Sequence, residues 1–179
     1  ESSDKMIEIQ SEYLNHIQKM FQLAGFTTVQ ASEASQAVMM IERQLALAHF
    51  SQVKLRDSQA NYHLYTVDSL KASFPGFCWD TYFATLGCPD VKEISVSQEE
   101  PIRKSIEIMN TAQIKDLRYY MQWQVLSAAA SYMSDEFAEE KFNFHGKVIS
   151  GRQEQSPRWK RAVSVVDGSL GMAVGKLYC

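Results

Sequence analysis

The sequence has few residues that interrupt secondary structure, and it has no long apolar run. Only 8 glycines and 4 prolines occur among its 179 residues, and this scarcity favours long helices over many short strands. No apolar stretch approaches the roughly 18 to 20 residues that are needed to cross a bilayer. We therefore expect no membrane contact from this segment.

Neither sign of charge dominates the sequence. The 18 Lys and Arg residues are nearly balanced by 21 Asp and Glu residues, which gives a formal net charge of −3. Apolar residues make up 45% of the chain, which is enough to build a core, so the composition is not that of a disordered protein. A basic nucleic-acid-binding domain is also excluded, and we expect no nucleic-acid partner.

Cysteine is scarce, and its odd count leaves at least one thiol without a partner in the chain. The three residues are Cys78, Cys88 and Cys179. A bridge between the first two would require their Cα atoms to approach within about 7 Å. We expect Cys78 and Cys88 to be unlinked, and we expect Cys78, next to Trp79, to be buried. The sequence does not determine the redox state of the three thiols.

The residue patterns that form catalytic or metal sites are missing. The histidines His16, His49, His63 and His145 are scattered without an H-x-x-x-H pair, whereas a zinc site needs three or four converging ligands. There is no G-x-S-x-G nucleophile motif and no phosphate-binding glycine loop. We therefore expect no catalytic residue, no metal ligand and no cofactor within this segment.

Apolar residues recur at helical spacing along most of the chain. This spacing and the local start and stop residues predict helices at 3–24, 29–50, 67–73, 78–86, 98–110, 112–133, 135–149 and 157–178. Residues 51–65 are predicted to be a loop. Residues 92–97 alternate in polarity and are the one plausible strand, which must pair elsewhere or remain an extended linker. The prediction is an all-α, multihelical domain over residues 1–179, with six or more helices and at most one short β pairing.

The last predicted helix has the clearest start in the sequence. Ser156 occupies the cap position and Pro157 the first helical position. The apolar stripe that follows begins at Trp159, which we expect to be a core residue like Trp123. Glycine disfavours a helix, so Gly171 and Gly175 need a reason. We expect close approach of another helix, with a kink in the helix as the alternative.

A basic cluster precedes and opens this last helix. It comprises Arg152, Arg158, Lys160 and Arg161. Positive charge at a helix N-terminus is unfavourable, so the cluster suggests a surface that contacts a partner, such as an acidic helix or a neighbouring domain. We expect it either to contact another domain or to face a substrate chamber.

Several short motifs occur together in a recognisable order. Phe77-Cys78-Trp79 is followed by Tyr119-Tyr120-Met121-Gln122-Trp123, then by Arg158-Trp159-Lys160-Arg161 and by Ala173-Val174-Gly175-Lys176-Leu177-Tyr178. In this combination the chain resembles the neprilysin family of zinc metalloendopeptidases, which includes the endothelin-converting enzymes and the bacterial oligopeptidase O. The resemblance covers most of residues 30–178.

The resemblance implies a place within a larger enzyme. Members of the family hydrolyse peptide bonds with a zinc-activated water, in a chamber between a thermolysin-like catalytic domain and an all-helical domain. This chain resembles much of the helical domain, which forms the chamber wall and restricts substrates to peptides. The implied partners are peptide substrates and the catalytic domain of the same parent chain. The implied location is extracytoplasmic, whether periplasmic, secreted or membrane-anchored.

The resemblance also places the catalytic machinery outside this segment. The H-E-x-x-H zinc helix is expected after Cys179, and the arginines that bind substrate are expected before Glu1. We therefore expect a fragment without a zinc site and without activity, whose last helix leads toward a missing catalytic domain. The alternative is a free-standing helical interaction module that docks a protein through the basic cluster. An H-E-x-x-H motif downstream in the parent reading frame would distinguish the two.

Overall fold

The computed structural model describes residues 2–178, which fold predominantly as helices. The described residues form two compact units, one of residues 2–26 with 126–178 and one of residues 27–125. The predicted fold class is confirmed, since there are more than six helices and a single two-stranded pairing among the described residues. That residues 1–179 form one domain stays a prediction.

The first unit is built from the two ends of the described chain. Its elements are α1 (Ser2–Leu23), a 3₁₀ turn (Ala130–Tyr132), α8 (Asp135–Lys141), a π-helix (Phe142–Ile149) and α9 (Arg158–Tyr178). Helix α1 packs against α8 and the π-helix. Its buried apolar residues recur at helical spacing, which explains why one face of α1 is covered. The core of this unit contains Ile17, Met20, Phe21, Ala130, Phe137, Ala138 and Phe144.

The second unit contains the middle of the chain. Its elements are α2 (Thr28–Ala48), α3 (Gln52–Leu55), β1 (His63–Thr66), α4 (Val67–Ser73), α5 (Trp79–Thr85), β2 (Glu93–Val96), α6 (Glu99–Thr111) and most of α7 (Ile114–Ala129). Helix α2 begins with a capping box, in which the Thr27 side chain accepts from the Gln30 N–H and the Gln30 side chain accepts from the Thr27 N–H. This reciprocal pair satisfies two backbone donors that a helix start leaves unpaired.

One strand of the small sheet was predicted and its partner was not. Strand β2 lies within the predicted stretch 92–97 and pairs antiparallel with β1, so that His63 faces Val96 and Thr66 faces Glu93. The prediction of a loop over residues 51–65 is wrong at β1 and at α3. The strand is only four residues long and is stabilised by β2, about 30 positions later, so local sequence contains little sign of it.

The predicted helix over residues 135–149 is not a single α-helix, because its backbone hydrogen-bonding pattern changes at Phe142. The chain continues as a π-helix, in which the Phe142 ring lies against the backbone of Gly146. A Cβ atom at Gly146 would be 2.3 Å from both Cδ2 and Cε2 of Phe142. The close contact therefore depends on the missing side chain of Gly146.

Helix α9 has the predicted start but not the predicted surroundings. Trp159 is 64% exposed, so the expectation of an inward indole is wrong for this chain, whereas Trp123 is 2% exposed. Gly171 and Gly175 are exposed, and nothing among the described residues approaches their Cβ positions. Next to Gly171, helix α9 is kinked at Leu170, where φ is −129° and ψ is 29°. The periodicity of an apolar stripe therefore does not by itself establish that the face is buried.

The cysteine expectations are met in part. Cys78 and Cys88 are free, as expected, but Cys78 is exposed, which corrects the prediction of a buried thiol. The neighbouring Trp79 takes the buried position, where its indole N–H donates to the Phe74 carbonyl at 2.9 Å. Cys179 lies outside the described residues. Of the helices described, none combines the length and the apolar character that a membrane span requires.

Candidate functional site: a basic groove

An open groove lies in the first unit, with α9 on one side and α8, the π-helix and the following loop on the other. Its volume is about 1010 Å³. All four residues of the predicted basic cluster line it, and Lys141 joins them. We call this site the basic groove and define it by Lys141, Arg152, Arg158, Lys160 and Arg161. Sequence reasoning missed Lys141, because only the tertiary fold brings α8 alongside the start of α9.

The charge of the basic groove is strongly one-sided. Of the residues that line it, five are cationic and one, Asp135, is acidic. Within the part of the chain that the structure describes, no carboxylate lies within 4.0 Å of any of the five cations. Neighbouring like charges repel one another, and the repulsion is greater where surrounding protein reduces access to water. Asp135 is thus outnumbered by the five cations, and it forms no ion pair with any of them.

A short turn positions Arg152 in the groove. Gly151 adopts φ of +65°, a conformation that favours glycine, and the Arg152 N–H donates to the Gly146 carbonyl at 2.9 Å. The guanidinium then donates to Ser156 Oγ at 3.0 Å and lies 5.7 Å from the centre of the Phe142 ring. These contacts hold Arg152 between the π-helix and the beginning of α9.

The other three cations of the predicted cluster lie in the first turn of α9. No acidic residue accompanies Arg158, Lys160 and Arg161 there to offset the helix dipole. Arg161 is half-buried, and its Nε atom is buried without a hydrogen-bond partner among the described residues. A buried donor without a partner is energetically costly. This end of the groove therefore favours a ligand that brings acceptor oxygens.

A polar cluster lies behind the groove and joins α1 to α8. The Nδ1 atom of buried His16 is 3.0 Å from Glu140 Oε1, and Lys19 lies on the same carboxylate. The His16 ring stacks on Phe144 and meets the His145 ring edge-on at 5.7 Å. Although His145 is an exposed residue, partial loss of water around its ring lowers its pKa, and the nearby His16 and Lys141 lower it further. His145 also lines the groove.

The described residues contain no group of three or more His, Cys, Asp or Glu side chains that could hold a metal ion. A second, smaller pocket of about 350 Å³ lies beside α1 and is lined by Lys19, Glu136, Glu139 and Glu140 among others. Its acidic residues belong to α8, and one of them, Glu136, lies in the first turn, where negative charge suits the helix start. We therefore take the basic groove, rather than this smaller acidic pocket, as the candidate functional site.

Comparison with known proteins gives a consistent family result. The sequence model described as peptidase family M13 matches residues 1–179. The chain is 26% identical over 171 residues to endothelin-converting enzyme 1 of Mus musculus, covering 93% of this chain and 22% of that protein. It is 27% identical over 165 residues to neprilysin-2 of Drosophila melanogaster, covering 80% of this chain and 21% of that protein.

Solved structures agree with the sequence comparisons. The zinc metalloprotease Zmp1 of Mycobacterium tuberculosis in complex with an inhibitor matches with a TM-score of 0.91 and 30% identity, covering 97% of this chain and 27% of Zmp1. Its open state matches with a TM-score of 0.89 and 31% identity, covering 96% of this chain and 27% of Zmp1. The chain thus spans about a quarter of the length of Zmp1 and about a fifth of the curated relatives named above.

Proposed function

Since the chain belongs to peptidase family M13, we propose that it is a non-catalytic helical part of a zinc metalloendopeptidase. The observation that supports this most directly is the match over all 179 residues, together with the TM-score of 0.91 against a zinc metalloprotease. In this proposal the parent chain hydrolyses peptide bonds with a water that zinc activates. The zinc ligands belong to parts of the parent outside these residues.

The role of this segment is to form part of the wall of a chamber that admits only peptides. A multihelical wall suits that role, because it limits substrate size without contributing any reacting group. The basic groove contacts either the chamber or another part of the parent chain, and its unpaired cations favour such a contact. The partners are therefore peptide substrates and the catalytic domain of the same chain. The location that accompanies this function is extracytoplasmic.

A comparison of the full-length parent with the 179-residue chain tests the proposed function. Both proteins are assayed against a series of peptides of increasing length, each with one cleavable bond, and against an unfolded protein substrate. We expect the parent to cleave short peptides, to lose activity as length increases, and to leave the protein intact, whereas the 179-residue chain cleaves none. A parent that hydrolyses no peptide contradicts the enzyme, and one that cleaves the unfolded protein equally well contradicts the chamber.

A second candidate function is a free-standing helical interaction module that docks a protein through its basic surface. The observation that favours it is the unneutralised charge of the basic groove. The peptide-cleavage assay also separates the two candidates. A parent that is only an interaction module has no peptidase activity, whereas a zinc metalloendopeptidase cleaves the short peptides.

A further inference from the structure

We propose that His16, Glu140 and His145 form an acid-sensitive latch, which holds α1 against α8 and the π-helix at neutral pH and releases α1 when both imidazoles are protonated. We call these three residues the histidine latch. The three elements that it joins belong to the first unit, and the inference does not depend on the proposed function. It rests on the burial of His16, on the carboxylate that contacts His16, and on the closeness of the second imidazole.

The first feature is the position of His16 on the buried face of α1. The residue is 2% exposed, and its imidazole stacks on the Phe144 ring of the π-helix, with the ring centres 5.0 Å apart and the planes at 11°. Tyr13, one turn earlier on α1, meets the same phenyl ring at 5.2 Å. A positive charge on His16 therefore lies where little water can reach it. Such a charge is costly unless a nearby group compensates it.

The second feature is the carboxylate that provides this compensation. His16 Nδ1 is 3.0 Å from Glu140 Oε1, and Lys19 Nζ is 3.7 Å from Glu140 Oε2. The Glu140 side chain is only 12% exposed, so its field is weakly screened by water. Glu140 can therefore balance one charge on His16, although it already faces the Lys19 ammonium.

The third feature is a second imidazole beside the first. The His145 ring meets the His16 ring edge-on with the centres 5.7 Å apart, and among the described residues His145 forms no ion pair. Partial loss of water around the ring lowers the pKa of His145, and the nearby His16 and Lys141 lower it further. Two imidazolium rings at this separation repel each other. One carboxylate cannot balance both of them.

The other charged groups around the latch do not supply the missing compensation. The neighbouring acids on α1 and α8 are exposed, so water weakens their fields: they are Glu12, Asp135, Glu136 and Glu139. The space that His145 lines is also lined by cations, namely Lys141, Arg152, Arg158, Lys160 and Arg161. A second proton on the latch therefore adds charge to a region that is already rich in positive charge.

Acid consequently favours release of α1. A released His145 regains an ordinary pKa of about 6.5, whereas its pKa in the packed arrangement is lower. The released state therefore binds more protons between these two values, and its population increases as the pH falls through them. The release is local to α1, because α1 is the element that the latch fastens to α8 and the π-helix. Local opening of this kind requires less free energy than global unfolding.

Hydrogen exchange in the native, full-length parent tests the latch. Deuterium uptake is followed by mass spectrometry at about pH 7.5 and about pH 5.5, on either side of the ordinary histidine pKa, and each rate is corrected for the intrinsic pH dependence of exchange. We expect the protection of the α1 amides to fall severalfold at the lower pH, while that of the α2 amides, in the second unit, is retained. Unchanged protection of α1, or an equal fall in both helices, would overturn the proposal.

Two histidine variants assign the response to the latch. His145→Phe keeps an aromatic ring beside His16 but cannot be protonated, so α1 should lose most of its acid response. The control is His49→Gln, which replaces an exposed histidine at the end of α2 and should respond like the wild type. A full acid response in His145→Phe, or its loss in both variants, would overturn the proposal.

Glu140→Gln provides an independent test, which also decides the matter if His145→Phe does not fold. Without the carboxylate a charge on His16 is uncompensated, so α1 should lose more protection at about pH 5.5 than it does in the wild type. The matched control is Glu139→Gln, which removes the same charge from an exposed position of α8 and should respond like the wild type. Protection of α2 at about pH 7.5 verifies that each variant is folded. A response in Glu140→Gln no larger than that in Glu139→Gln would contradict the latch.

Discussion

Two of the tryptophans contribute very differently to the stability of this chain. Trp123 is 2% exposed, and its indole N–H donates to Glu42 Oε1 at 3.1 Å. The pKa of Tyr120 is raised, chiefly because burial removes its hydroxyl from water and also because the Glu42 carboxylate is nearby. Trp159 instead has a solvent-exposed indole with the Lys160 ammonium 5.5 Å from the ring centre. The first residue is part of a packed interior and the second is on a surface.

Truncation of each tryptophan should reveal this difference. Trp123→Ala is expected to cost about 3–5 kcal/mol of unfolding free energy, because it leaves a cavity in a close-packed region. Trp159→Ala should change the unfolding free energy by only about 0.5 kcal/mol, which is typical of a surface position. Urea denaturation followed by circular dichroism measures both. A loss at Trp159 as large as that at Trp123 would show that the indole of Trp159 is buried.

Gly146 and Gly171 form a second informative pair. A methyl group at Gly146 would be 2.3 Å from two atoms of the Phe142 ring, whereas one at Gly171 would meet nothing within 4 Å. Gly146→Ala should therefore cost about 1–3 kcal/mol through overpacking. Gly171→Ala should stabilise the 179-residue chain by up to about 1 kcal/mol, since alanine favours a helix. Thermal melts that ranked the two variants in the opposite order would contradict the described contacts.

At the level of elements, α1, α8 and the π-helix are joined through a titratable cluster. His145 faces His16 from α1 and Lys141 from α8, and Glu140 and Lys19 complete the polar groups around His16. Because the pKa of His145 is below its ordinary value of 6.5, protonation is harder in the folded state than in the unfolded state. The unfolded state then binds more protons at pH values below 6.5, and stability falls as the pH decreases.

Stability measured between pH 8 and pH 5 should show this effect. The free energy of unfolding should lose its His145 contribution as the pH falls from about 6.5 through the lowered pKa of the folded state. His145→Gln should reduce the slope of stability against pH in that interval. The control is His49→Gln, which replaces an exposed histidine at the end of α2 and should preserve the slope. An unchanged slope for His145→Gln would place the proton-linked destabilisation elsewhere.

The cations at the start of α9 are expected to lower the stability of the 179-residue chain. Arg158→Gln/Arg161→Gln removes positive charge from the first turn and also removes a buried unpartnered donor. The melting temperature should rise by about 1–3 °C at low salt, and the gain should shrink as salt is added. Lys176→Gln is the matched control, because Lys176 lies in the last turn of α9, where a cation is favourable. A large loss of stability in the arginine variant would mean that the two side chains make structural contacts.

Local signals in the sequence predicted where helices begin and end better than they predicted which residues pack around each side chain. Ser156 and Pro157 predicted the start of α9 to within one residue, since capping depends on adjacent positions. Strand β1 escaped prediction, because it is short and its hydrogen-bonding partner β2 is distant in the chain. The four cations of the predicted cluster could be read from the sequence, but Lys141 could not, since its place in the groove depends on how α8 packs. The environment of Trp159 depends on which element covers the stripe, and periodicity contains no information about that.

For the whole molecule, the clearest test of the proposed function is whether zinc is bound by the 179-residue chain or only by the full-length parent. Zinc requires three or four converging ligands at about 2.0–2.3 Å. The strongest described candidate is the cluster of His16, Glu140 and His145, where His16 Nδ1 and Glu140 Oε1 already pair at 3.0 Å. The described residues nevertheless hold no group of three or more potential ligands arranged to bind a metal ion. In the proposed function, the zinc site of the parent uses residues outside this segment.

We expect the purified, tag-free 179-residue chain to carry no stoichiometric zinc, and the full-length parent to carry one zinc per chain. A ligand that binds only the folded state raises its stability, so a chelator should lower the melting temperature of the parent and leave that of the 179-residue chain unchanged. Metal analysis after gel filtration and thermal melts with and without chelator measure both effects. Stoichiometric zinc in the 179-residue chain would contradict the prediction, and its loss in His16→Gln would assign the site to the cluster behind the basic groove.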